Sequence, residues 1–220
     1  MSATLIYRQA FIYEAAMWAL YGRYYGARYS TIADLIPPDS KVLDLCCGPG
    51  TLFDRYLRRK RVNYTGLDIS ESFIRRLRQR GGKGLVWDLQ RDIELPRSNY
   101  VVMQASLYGF LPNARPMFER MMRAARDRVI VTEPIRNLAS SSNPVIAAMS
   151  KRLTDAGDHR SDHRFTEQTL DQFFSPYESC IDQVFLIPGG REKVFVLKAD
   201  RAGDGHADVR VVDRSRDCGS

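Results

Sequence analysis

The chain has 220 residues, of which 44% are hydrophobic, and a formal net charge of +7. That length carries one well-buried domain with some decoration and is short for two; no run approaches the roughly 18 uninterrupted apolar residues of a membrane span, so no membrane association is expected. Of the four cysteines, Cys46 and Cys47 are adjacent, Cys180 is distant and Cys218 lies in a polar tail, which forms neither a disulfide framework nor a CxxC metal spacing. No metal is expected, and a reducing compartment fits. Arg8 and Glu14 interrupt the most apolar part of the N-terminus, unlike a secretory signal, so the expected location is cytoplasmic. The positive charge suggests an acidic partner, although arginine-rich solvated helix faces give the same total.

Residues 6–25 lack proline and space Phe11, Met17, Trp18 and Tyr21 in a helical rather than alternating manner. Tyr7, Tyr13, Tyr21, Tyr24, Tyr25 and Tyr29 are more tyrosines than a plain packing helix needs, and each combines an apolar body with a hydrogen-bonding tip. Two readings stand together: a helix that docks, and a lid over a ligand. A second helix over about 28–35 is stopped by Pro37 and Pro38, so residues 1–36 form an N-terminal helical cap.

The stretch KVLDLCCGPGTL, residues 41–52, organises the rest. It reads as a short apolar strand ending in an acid, a tight turn with two glycines, and the start of a helix. Gly48 and Gly50 permit backbone angles closed to other residues and let a ligand lie against the main chain. An ionised Asp44 at the exit of a buried strand needs hydrogen bonds, expected here from the loop amides. The following helix over 51–59 turns Leu52, Phe53, Tyr56 and Leu57 to the sheet and ends in Arg58, Arg59, Lys60 and Arg61, cations that complement the helix dipole. Residues 62–68 form a second strand ending in Asp68, at the offset of about 20 residues from the glycine turn where a ribose-binding acid is expected. Ser70 caps a helix that Gly81 and Gly82 end, and 84–88 is a third strand, again closing on an acid, Asp88. Three successive strands that end in aspartate place a ligand site at the carboxyl edge of an open parallel sheet.

With these residues in view, the chain resembles the class I S-adenosylmethionine-dependent methyltransferases. The resemblance implies a Rossmann-like, doubly wound α/β fold with a seven-stranded sheet and an antiparallel C-terminal strand, and S-adenosyl-L-methionine as cofactor. It makes Asp44, Cys46, Gly48 and Gly50 the cofactor loop, with Cys46 standing where the family usually has its first glycine. Asp68 would hold the ribose hydroxyls with Ile69 beside the adenine, and Asp88 with Leu89 would receive the adenine amino group. Residues 99–104 are the fourth strand, and Gln104 opens the loop beneath the sulfonium and the acceptor. A helix over 114–125 and a strand over 128–134 follow, then a polar breaker at 140–143 and a helix from Pro144 to about Leu153. Thr166 caps a helix carrying Leu170, Phe173 and Phe174. Strands over 180–187 and 192–198, joined by Pro188, Gly189, Gly190 and Arg191, make a hairpin like the antiparallel end of this methyltransferase sheet. Residues 1–200 are therefore one methyltransferase domain, 139–165 a substrate-cap segment, and 201–220 a disordered tail.

Methyl transfer from a sulfonium asks the protein mainly to align the acceptor and exclude water. For a hydroxyl acceptor a base helps, and His159 and His163, beside Asp158 and Asp162, are candidates, as is Tyr108 at a strand end; an exposed polar loop is the competing reading of the two histidines. Glu133 and Tyr108 are placed either to touch substrate or to hold loops. The loop Gln104-Ala105-Ser106-Leu107 lacks the Pro-Pro-aromatic run of amino-methylating nucleic-acid enzymes, so the expected acceptor is a small molecule and nucleic acid is not expected as a partner. An RNA or other nucleic-acid methyltransferase and a non-catalytic S-adenosylmethionine-binding protein are the alternatives. A dehydrogenase fails on the missing GxGxxG and on the hairpin.

Overall fold

The computed structural model describes residues 18, 21–135 and 164–199. Most of the expected helix over 6–25, the helix after Pro144, His159, His163 and the tail 201–220 lie outside the described residues. Seven strands form one sheet: β1 (Lys41–Leu45), β2 (Asn63–Asp68), β3 (Lys83–Val86), β4 (Ser98–Gln104), β5 (Ala125–Pro134), β6 (Ile181–Leu186) and β7 (Glu192–Lys198), in the order β3-β2-β1-β4-β5-β7-β6. β7 runs antiparallel to both its neighbours and every other pair is parallel. The C-terminal ends of β2, β1, β4 and β5 therefore stand side by side at one edge.

Strands buried on both faces need apolar residues at nearly every position, and β1 and β4 have them. Alternation assigns each side chain to a layer. On one face Val42, Tyr64, Val102 and Ile130 pack against Tyr25, Tyr29, Ile32, Leu52, Phe53, Leu57 and Leu77, supplied by α1 (Ala27–Asp34) and the turn before it, the helical segment after β1, and α2 (Glu71–Gln79). On the other, Leu43, Leu45, Val101, Val129 and Phe195 meet Met117, Phe118 and Met121 of α3 (Arg115–Ala124) and Leu170 and Phe174 of α4 (Glu167–Phe174). Phe174 stacks on Phe195 at 4.1 Å between centroids and takes Phe118 edge-on at 5.2 Å. The expected caps are present: Ser70 accepts from the Phe73 amide, and Thr166 from the Thr169 amide.

Two expectations are corrected. The segment expected as an α-helix over 51–59 runs through a π-helical turn at Phe53–Leu57 and a 3-10 turn at Arg58–Lys60, ending on Arg61 with φ of 55°. Its basic end is anchored, because the Lys60 ammonium donates to the carbonyls of Ala33, in the last turn of α1, and Ile36, just after it, while Asp54 takes Arg58 and Arg80. β3 stops at Val86, short of Asp88, because the Asp88 carboxylate accepts from the Gln90 amide and bends the chain into a turn after Trp87 makes its last bond to Asp68.

Gly66 sits opposite Asp44 in the β1–β2 register. A Cβ added there would lie 2.7 Å from both the Cys47 sulfur and Leu77 Cδ2, so β2 approaches the glycine loop and α2 more closely than any side chain permits. Gly66→Ala should lower stability by about 1–3 kcal/mol, read as a reduced urea midpoint at unchanged slope. An unchanged midpoint would mean that loop and helix are not clamped to the sheet here.

Candidate functional site

After β1 the chain turns sharply: Cys46 has φ of 54°, Gly48 55° and Gly50 77°. Cys46 thus occupies the left-handed region that favours glycine, which is why the position where the family usually has glycine is special even when filled by cysteine. The loop is closed by the Cys47 amide on the Leu67 carbonyl and the Gly50 amide on the Cys47 carbonyl.

Asp68 governs the next turn. Its Oδ2 accepts from the Gly48 amide at 2.9 Å and its Oδ1 from the Ser70 amide at 2.8 Å. Burial pushes its pKa up, and the Ser70 and Gly48 amides pull it back. The glycine-loop amides were expected on Asp44, and this is a correction: Asp44, 3% exposed, instead accepts from the Tyr64 hydroxyl at 2.7 Å. The reason is alternation, since Val42 and Asp44 share the face of β1 on which Tyr64 lies, while the glycine loop folds over the end of β2. Burial lifts Asp44 to about 7, opposed by the Tyr64 hydrogen bond and reinforced by the charge of Asp68.

Toward β4 and β5 the site changes character. Burial pushes the Cys46 thiol up to about 12; the charge of Asp68 adds to this and a hydrogen bond to Ser106 opposes it, so Cys46 is a neutral bridge between the loops after β1 and β4. Gln104 donates from Nε2 to the Arg28 carbonyl at 3.0 Å, tying the end of β4 to α1. Glu133, 1% exposed at the end of β5, accepts the Ser106 and Leu107 amides on Oε1 at 2.8 and 2.6 Å, which shapes the short 3-10 turn Leu107–Phe110. Burial raises Glu133 to about 8 against those two hydrogen bonds. Tyr108, on that turn, lies under the Arg164 guanidinium at 3.9 Å from ring centroid to carbon.

The structure therefore gathers Asp44, Cys46, Gly48, Gly50, Asp68, Ile69, Gln104 and Tyr108 at the carboxyl edge of β1, β2 and β4. Ile69 is 67% exposed, a large apolar side chain left in solvent beside the Asp68 carboxylate. Asp88 and Leu89 follow β3; Leu89 is buried in the core and its carbonyl takes Arg120 at 2.9 Å. The N-terminal tyrosines divide: Tyr21, Tyr25 and Tyr29 are buried, and Tyr21 donates to Glu192 at 2.6 Å beside the Arg28–Glu192 ion pair at 2.7 Å. These three dock the segment onto the sheet. Sequence reading missed Tyr64, Arg164 and Glu192; strand alternation signals the first once register is known, and neither of the others carries a local signal.

The family model for MetW, described as methionine biosynthesis protein MetW, matches residues 26–138, just over half of the 220 residues. No curated protein sequence matches the chain. Among solved structures, the plantazolicin methyltransferase BpumL in complex with SAH is 13% identical, with TM-score 0.59 and 90% of each chain covered. A SAM-dependent methyltransferase from Aquifex aeolicus is 12% identical, with TM-score 0.58 over 84% of this chain and 98% of the other. Magnesium protoporphyrin IX methyltransferase from Synechocystis PCC 6803 with bound SAH is 15% identical, with TM-score 0.55 over 89% and 84%. At these identities the likeness is one of fold, and the strand order with its antiparallel β7 is the class I methyltransferase order.

Both raised carboxyls have consequences for stability. Asp44 and Glu133 hold their protons in the folded state above the pH at which the unfolded chain releases them, so their contribution to stability is full below about pH 4 and is lost as pH rises toward 7 for Asp44 and 8 for Glu133. Asp44→Asn should flatten the fall in melting temperature between pH 4 and 7, and Glu133→Gln the part extending to pH 8. Parallel pH profiles for wild type and both variants would contradict these protonation states.

Proposed function

The chain belongs to the MetW family, and from that premise we propose that it binds S-adenosylmethionine over the carboxyl edge of β1, β2 and β4 and transfers the methyl group to a small-molecule acceptor. The observation that carries this reading is Asp68: a buried carboxylate at the end of β2, beside a loop with three positive φ angles and the exposed Ile69. Such a carboxylate exchanges amide partners for two vicinal hydroxyls without loss of hydrogen bonding, and an apolar side chain left in water beside it suits one face of an adenine. The loop after β1 keeps its backbone open, since a Cβ at Gly48 would meet nothing within 4 Å.

Bound there, S-adenosylmethionine supplies a methyl group already activated on sulfur. The protein's part is then positional. Asp68 and Ile69 hold the nucleoside, Asp88 and Leu89 its amino edge, and Gly48, Gly50 and Cys46 the amino-acid end, with Asp44 buried beneath the loop on Tyr64 and Gln104 fixing α1 beside it. Tyr108 faces the acceptor side. His159 and His163 are the proposed bases for a hydroxyl acceptor. Because the family is described by methionine biosynthesis, acceptors from sulfur amino-acid chemistry are the first to screen by product mass.

A small acceptor is supported by the work the basic residues already do. Lys60 caps carbonyls, Arg58 and Arg80 share Asp54, Arg61 pairs with Asp39, Arg78 donates to the Gly84 carbonyl and Arg76 is buried. Charges committed in this way are poor phosphate ligands. Labelled RNA and duplex DNA should accordingly show no micromolar binding at physiological salt. Salt-steep binding, with a log–log slope near −0.7 to −0.9 per contact, lost together with transfer when four of these residues become Gln, would overturn the small-molecule assignment.

Asp68→Ala should remove charge-assisted hydrogen bonds of about 1.5–3 kcal/mol, which is roughly 10- to 150-fold in S-adenosylhomocysteine affinity by calorimetry. Equal affinity in wild type and variant would remove the basis of the reading.

A further inference from the structure

Arg164 stands apart from the other arginines that the fold takes in. Arg120 donates to the carbonyls of Leu89 and Ile93, Arg78 to that of Gly84, and Arg128 pairs with Asp182. Arg164, half-buried just before α4, lies on the face of Tyr108 instead. Among the described residues no carboxylate pairs with it at ion-pair distance. Arg164 also hydrogen-bonds the Tyr108 side chain, which uses part of its donor fork; the aromatic face attracts the cation but accepts no hydrogen bond in the guanidinium plane. The in-plane edge of Arg164, with its parallel N–H donors, is the part of that group suited to a planar anion.

A second observation comes from the next strand. Glu133 spends Oε1 on two amides, but Oε2 is buried and has no hydrogen-bond partner among the described residues. A buried carboxyl oxygen left without a donor is costly unless something outside the chain meets it. Arg164 and Glu133 feel each other's charge without pairing, and Tyr108 feels both. The sheet order puts Glu133 on β5, beyond β1 and β4 from Asp68 on β2, so this cluster lies across the Cys46 bridge from the nucleoside end of the site.

We infer that the acceptor is a small monocarboxylic acid, its carboxylate held by the edge of Arg164 on the face of Tyr108 and a hydroxyl of its remainder hydrogen-bonded to Glu133 Oε2. The inference rests on the methyl-transfer reading for the word acceptor, while the binding site itself stands on these residues alone. A phosphate matches the same guanidinium edge, but the one positive charge of Arg164 balances a single carboxylate and leaves the second charge of a phosphate to be desolvated without a partner.

The test uses the full chain and direct binding. 3-Hydroxypropionate, its neutral amide 3-hydroxypropionamide, and inorganic phosphate are titrated by NMR, each with and without saturating S-adenosylhomocysteine, into wild type, Arg164→Gln and Tyr108→Leu. The acid should bind, the amide and phosphate at least tenfold more weakly. Arg164→Gln should weaken the acid by about 10- to 150-fold, as expected for lost hydrogen bonds to a charged group, with Tyr108→Leu weakening it less. Unaltered S-adenosylhomocysteine affinity in Arg164→Gln shows that the variant is folded. The inference is overturned if the acid fails to bind at tens of millimolar, if amide or phosphate binds as well as the acid, or if Arg164→Gln leaves acid affinity within twofold. Failure of S-adenosylhomocysteine to bind wild type would instead sink the methyl-transfer reading, and the titrations without it still decide the carboxylate site.

Discussion

Taking carboxyl groups out of water at one edge of a sheet is expensive, and among the described residues Asp44, Asp68, Glu133 and Glu192 are all buried there. Each is offset by donors from a different piece of chain: Tyr64 within the sheet, the Gly48 and Ser70 amides of two loops, the Ser106 and Leu107 amides of a third, and Tyr21 with Arg28 of the N-terminal segment. A buried carboxylate tolerates little freedom in its partners, since losing one leaves the desolvation cost unanswered. The loops are thereby held to the strand ends by the acids those strands carry. The geometry of the edge follows from that requirement more than from loop sequence.

The same requirement explains what was legible in the sequence. Strand ends in Asp44 and Asp68 and the turn residues Gly48 and Gly50 announce themselves locally, because a buried acid and a positive φ angle are both rare enough to need a cause. The hairpin at Pro188–Arg191 and the caps at Ser70 and Thr166 are equally local. The partners of those acids were not legible. Whether Asp44 meets a loop amide or Tyr64 depends on which face of β1 it occupies relative to β2, and that is a matter of register, set by contacts between residues distant in sequence. The end of β3 was not legible for a different reason: the Asp88 side chain accepts the Gln90 amide and turns the chain, so the strand ends at Val86, earlier than the apolar run suggested.

The tyrosines near the N-terminus show a physical ambiguity of a third kind. A tyrosine that packs its ring and bonds its hydroxyl looks the same in sequence whether the partner is protein or ligand. For Tyr21 the partner is Glu192, and Tyr29 stacks on Tyr56 and meets Tyr25 edge-on. Docking accounts for these three, and it serves the site indirectly, because α1, once seated, presents the Arg28 carbonyl that orients Gln104.

Cys46 shows how the two halves of the edge are coupled. A non-glycine residue at positive φ carries a strain of order 1 kcal/mol, so its side chain has to contribute something a glycine cannot. Here it fills the space between the loop that Asp68 holds and the loop that Glu133 holds, and it meets Ser106 while staying a neutral thiol. A neutral group at that point matters, because an ionised one would stand among Asp44, Asp68 and Glu133 and add to their mutual repulsion. The raised positions of Asp44 and Glu133 come first from burial, and the charges of Asp68 and Glu192 add to them, so a further ionised group at this edge would raise them again. The edge is accordingly better suited to a ligand that brings positive charge to its centre than to one that brings an anion there, and among the described residues an anion at the β5 side meets the charge of Arg164, which lies on the face of Tyr108 and is felt by Glu133.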